Sequence, residues 1–163
     1  MRHEILRTKV TNPPDRFEEK CVFCNILRGR VECFRVLEDG SSLAFLDHRP
    51  LFAGHCLLVS KGHFQTLWDL PDPLMEPIFA NVRLLARAVT EGMRAEGNFV
   101  AINNIVSQSV PHFHVHIVPR RKGDGLKGFF WPRRAYKDQQ EIDATLRALH
   151  SAIARLKGPD RKP

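Results

Sequence analysis

The chain is 163 residues long, 43% hydrophobic and 26% charged, which suits one globular domain with an ordinary core. No apolar run approaches the roughly 18 residues that a membrane helix needs, and residues 1–20 lack the apolar centre of a signal peptide, so a cytoplasmic protein with no membrane partner is expected. A net charge of +7 suits an anionic partner such as a nucleotide, a polyphosphate or a nucleic acid, and a solvated basic surface accounts for it equally well.

Residues 1–18 carry few apolar side chains and the pair Pro13-Pro14, so a flexible arm is expected there. A short helix should follow over 21–27 and stop at Gly29. It contains Cys21 and Cys24 in Cys-x-x-Cys spacing, which is half of a zinc site with no second cysteine pair downstream. The remaining ligands would have to be histidines; the plainer reading is two cysteines that simply pack. A redox pair is disfavoured because no thioredoxin-like βαβ pattern surrounds it. With Cys33 and Cys56 the chain has four cysteines, too few clues in a cytosolic setting for a disulfide framework.

Two short strands are expected over 33–38 and 42–47, joined by a hairpin turn at Asp39-Gly40. A third, over 54–60, is closed by Lys61, Gly62 and His63, with Cys56 as a small buried hydrophobe. Leu74, Ile78, Val82, Leu85, Val89 and Met93 recur at three- and four-residue intervals, predicting an amphipathic helix from about 73 to 95 that covers one face of the sheet. Residues 98–103 form a fourth strand, which should pair with the strand after the next loop. In that fifth strand, His112, His114 and His116 alternate with Phe113, Val115 and Ile117. Period-2 alternation places the three imidazoles on one face, with neighbours about 7 Å apart, and the apolar residues on the other. Such a row can hold a nucleophile and its acid partner, or a metal. Beyond it lie Arg120, Arg121 and Lys122, then Phe129, Phe130 and Trp131, which suit a polyphosphate contact, a dimer seam or a pocket mouth. Asp138 and Glu141 resemble a capping box opening a second amphipathic helix through Ile142, Leu146, Leu149, Ile153 and Leu156, to about 157. A disordered tail, 158–163, is expected to end the chain.

The run His112-Phe113-His114-Val115-His116-Ile117-Val118 resembles the motif of the histidine-triad (HIT) superfamily, and upstream segments reinforce it. The resemblance covers about residues 20–120. It implies an α+β fold with an antiparallel sheet of about five strands under one long helix, here with an extra C-terminal helix. The domains are then an arm at 1–18, a HIT domain at 19–135, and a helix with its tail at 136–163. It implies a nucleotidyl hydrolase, acting on adenosine phosphoramidates or dinucleoside polyphosphates through a covalent intermediate on His114, with His116 and His112 as catalytic partners. Ile26 and Phe45 would wall the base and Asp47 would bind the ribose. His55 would support the triad, while Asn103, Gln108 and Ser109 would contact phosphate. Similar bacterial proteins hold zinc at positions matching Cys21, Cys24, His63 and His112, as a structural ion outside the chemistry. A homodimer is implied, and nucleic acid is not the expected partner. Two departures stand out: Ser60 replaces the usual proline, and the loop 104–110 contains no glycine. The glycine-free loop and the extra C-terminal helix keep open a nucleotide- or metal-responsive binding protein with little activity. A three-histidine zinc hydrolase also remains open.

Overall fold

The computed structural model describes residues 17–126 and 135–157. The arm up to residue 16, the segment holding Phe129, Phe130 and Trp131, and the tail 158–163 lie outside the described residues. The chain divides into two compact units, Met1–Asp124 and Gly125–Pro163.

The first unit runs α1 (Val22–Leu27), β1 (Arg35–Glu38), β2 (Ser42–Leu46), β3 (Cys56–Ser60), α2 (Asp72–Gly92), β4 (Gly97–Ala101) and β5 (His114–Arg120). The strands form one antiparallel sheet in the order β1-β2-β3-β5-β4. The architecture is therefore the α+β sheet expected, and β4 pairs with the histidine strand as its position suggested.

Register gives the sheet two distinct faces. Leu43, Val59 and His114 stand in one cross-strand row, and Phe45, Leu57 and His116 in the next. This face is covered by Cys21, Phe23, Cys24 and Ile26 of the α1 region. Ala44, Leu58 and Val115 point the opposite way, into a larger core completed by Phe113, Ile117 and the stripe Leu74, Ile78, Val82, Leu85 and Val89 of α2. Each of those five stripe residues is buried, contributing about 1.5–3 kcal/mol of hydrophobic stabilisation. Within the first unit the histidines thus share a face with the short α1 region, and α2 packs on the opposite face.

Local contacts set the element boundaries, the first two where expected and the third earlier. α1 stops where Gly29 takes φ +71°, a conformation open to glycine, and its N–H bonds Ile26 O. The β1–β2 turn is organised by Asp39, whose Oδ1 accepts from the N–H groups of Ser41 and Ser42. α2 ends at Gly92, earlier than the glycine at 97, because Arg94 turns left-handed (φ 50°) while Ala95 N–H reaches back to Thr90 O.

In the second unit, α3 spans Gln139–Lys157. Asp138 Oδ1 accepts from Glu141 N–H at 2.8 Å, while the Glu141 carboxylate accepts from Lys137 N–H at 2.7 Å. The expected capping pair is present, with its return bond one residue further back. No helix among the described residues is long and apolar enough to cross a membrane.

Candidate active site and metal centre

The strand carrying the histidines begins at His114, so His112 lies just before it. There the backbone bends: His112 N–H donates to Val110 O, and Phe113 N–H to Phe64 O. This bend turns the His112 ring toward α1. Its Nδ1 lies 3.5 Å from Cys21 Sγ and 3.6 Å from Cys24 Sγ, and His63 Nδ1 lies 3.3 Å from Cys24 Sγ. Ligand atoms of all four residues fall within 4.8 Å of one another. Zinc bonds of about 2.3 Å to sulfur and 2.0–2.1 Å to nitrogen put tetrahedral S and N ligands about 3.5 Å apart, so the observed edges fit that ion. His112 also donates from Nε2 to Ser60 O at 2.9 Å, which leaves the Nδ1 lone pair facing the sulfurs. Burial pushes the Cys24 thiol up to about 11, against the lowering effect of Glu18 N–H, so a metal must displace a proton to bind there. Gly62 places His63 at the end of β3: a Cβ on it would stand 2.8 Å from the Phe64 ring.

The other two imidazoles are held by different partners. His114 Nδ1 donates to His112 O at 2.7 Å, leaving Nε2 as a free lone pair. His55 Nδ1 accepts from Leu51 N–H at 3.2 Å, so its proton sits on Nε2, which donates to His116 Nδ1 at 3.0 Å. His116 in turn must carry its proton on Nε2. The result is a neighbouring pair, ring centroids 5.0 Å apart, with opposite Nε2 character: one acceptor and one donor. Burial lowers His114 and His55, and brings His116 to about 4 with help from the neighbouring His114 and His55. His112 is likewise driven to about 4 by burial. All four rings are therefore neutral at pH 7. The three triad rings do not converge on one point, and among the described residues they form no shared metal group. A second group, Asp47, His55 and His116, does come together; Asp47 Oδ2 lies 3.6 Å from His55 Nδ1, while its Oδ1 accepts from Arg49 N–H.

Of the expected nucleotide contacts, Ile26 and Phe45 are buried on the histidine face of the sheet. Gln108 uses its side-chain amide within the protein: Oε1 accepts from Ile105 N–H and Nε2 donates to Gln65 O. Asn103 Nδ2 donates to Ser107 O. Ser109 is exposed. The loop manages without glycine by placing Ile105 (φ 66°) and Ser107 (φ 60°) in the left-handed region. For a β-branched residue this costs about 1–2 kcal/mol. Ile105 is 62% exposed and loses little burial on truncation. Ile105→Gly should relieve this strain against the added freedom of the unfolded chain, for a net gain of about 0.5–1 kcal/mol read as a higher melting temperature; a lower one would show that Ile105 is not strained.

Three supporting groups escape a reading of the sequence. Phe23 sits between the two cysteines and meets the His112, His114 and Phe45 rings edge-on, at 5.8, 5.3 and 5.8 Å. Ser60 O and Leu51 N–H set imidazole tautomers through the backbone, where residue identity leaves no trace. The only sequence signal was Ser60 itself, standing where proline is usual.

The HIT domain profile matches residues 28–123. The chain is 30% identical over 159 residues to an adenosine 5'-monophosphoramidase of Saccharomyces cerevisiae, covering 95% of this chain and 94% of that protein. It resembles the crystal structure of a HIT family member from Bacillus subtilis with a TM-score of 0.76 and 31% identity, over 83% of this chain and 99% of that one. A zinc-bound histidine triad family protein from Mycobacterium smegmatis is 38% identical, with a TM-score of 0.62, over 82% and 97% of the two chains.

Proposed function

The chain belongs to the HIT domain family, and we propose that it is a nucleotidyl hydrolase working through a covalent nucleotidyl-histidine on His114. The observation that carries this reading is the pair of opposed Nε2 atoms on His114 and His116. The His114 Nε2 lone pair attacks the α-phosphorus of an adenosine phosphoramidate or dinucleoside polyphosphate, forming an N–P bond as the bond to the leaving group breaks. His116 Nε2–H gives its proton to the leaving atom, the nitrogen of a phosphoramidate or the bridging oxygen of a polyphosphate, and recovers it from the water that attacks next. Water then attacks the same phosphorus, the N–P bond breaks, and a nucleoside monophosphate departs with one proton released. The neutral state of both rings supports attack at physiological pH, because a protonated imidazole has no lone pair to offer.

In this reading three residues form the wall around the nucleotide. Ile26 and Phe45 flank the base, and Asp47 accepts from the ribose hydroxyls. The N–H groups of Gln108, Ser109 and Val110 make no hydrogen bond to a described residue. We assign them to the phosphoryl oxygens, whose developing charge they stabilise. Gln108 then acts as a brace for this loop rather than through its own amide. Cys21, Cys24, His63 and His112 hold a structural zinc ion, a fit supported by their sulfur–nitrogen edges. The named activity of the yeast relative supports a phosphoramidate as the first substrate to try.

The direct test is to mix wild-type protein with an adenosine phosphoramidate, quench in denaturant within one turnover, and weigh the intact chain. A mass gain of one adenylyl group, mapped to His114, is expected. Turnover with no adduct at any quench time would remove the covalent step.

A further inference from the structure

His112 belongs to two networks at once. Its ring faces the cysteines, and its carbonyl oxygen is the acceptor that fixes His114 in the Nδ1–H tautomer. β5 starts only at His114, so His112 stands outside the strand; its backbone is held by its own N–H bond to Val110 O and by the Phe113 N–H bond to Phe64 O, and its ring by Ser60 O and the two sulfurs. α1 is similarly dependent. It has six residues and no side-chain cap at Cys21, too short to persist by itself. Both cysteines lie at its start, and between them Phe23 packs against the His114 ring. The last turn of α1 supplies Ile26, placed above as a wall of the base.

From these connections we propose that metal occupancy at Cys21, Cys24, His63 and His112 tunes nucleotide affinity, so that the ion and the nucleotide bind cooperatively. His112 and Phe23 are positioning residues: the ion locks both, and they lock the tautomer and placement of His114. The inference rests on His114 and Ile26 facing the nucleotide. Coupling between two sites is reciprocal, so the ion must tighten the nucleotide by the same factor that the nucleotide tightens the ion.

AMP is the probe, because its binding needs no chemistry. AMP affinity is measured on zinc-loaded and metal-free protein, with the fold checked by circular dichroism, and zinc affinity is measured by chelator competition with and without saturating AMP. We expect matching changes of about fivefold or more in both directions. Nitrogen NMR of His114 should show one Nδ1–H tautomer in the loaded protein and a mixture without metal. Equal AMP affinity within twofold, an unchanged tautomer, or a chain that takes up no zinc would each overturn the proposal. Should the metal-free chain unfold, the cadmium-loaded protein serves instead: a cadmium resonance that moves on AMP binding supports the coupling, and one that stays fixed overturns it. If the adduct experiment fails while this coupling holds, only the covalent step is lost. If the adduct forms without coupling, only this inference is lost.

Discussion

His114→Asn is expected to abolish turnover, by about four orders of magnitude or more, while AMP binding stays within about tenfold of wild type. Asparagine can still donate to the His112 carbonyl, so the strand entry keeps its hydrogen bond, but it offers no lone pair able to form an N–P bond. Binding should survive because base, ribose and phosphate contacts come from other groups, and a tenfold change is only about 1.4 kcal/mol. His116→Ala should behave differently. It removes the donor that faces the nucleophile, so the adduct should still form, only more slowly. Steady-state rates, AMP affinity and adduct mass on the two variants separate these roles. Unchanged turnover in His114→Asn would leave the reaction without its nucleophile and end the covalent account.

Stripping the metal should produce the largest change in stability. A ligand present at a thousandfold its dissociation constant stabilises the folded chain by about 4 kcal/mol. For a chain of this size that is a fall of about 8–16 °C in melting temperature on chelation. Cys24→Ser should show the lower melting temperature outright and no response to zinc, because Cys24 is completely buried and lies beside both imidazoles. Metal analysis must accompany the melts. A zinc-containing wild type whose melting temperature ignores chelator would refute the structural role. The difference between zinc-loaded and chelated protein should shrink in acid, since the thiols and imidazoles must be deprotonated to hold the ion.

Much of this architecture is written in periodicity. The 3.6-residue recurrence of Leu74, Ile78, Val82, Leu85 and Val89 specifies a helix with one wet face, and these residues cover the sheet. Alternation from Phe113 to Ile117 specifies a strand with imidazoles on one side, because a strand has no other way to place every second side chain. The Cys21–Cys24 spacing likewise announces half of the cysteine–histidine cluster.

Tertiary structure alone decided how those parts are joined. His112 lies 91 residues from Cys21, and only the fold brings its ring to the thiols while its carbonyl serves His114. The donor on His116 exists because the Leu51 backbone amide, through His55, dictates which nitrogen keeps the proton. Ile105 adopts a conformation that its own side chain disfavours, because the loop is tied at both ends. Local pattern encodes which face a side chain occupies. Tautomer, torsion and ligand geometry depend on backbone atoms that every residue shares, so only their positions in space can reveal them.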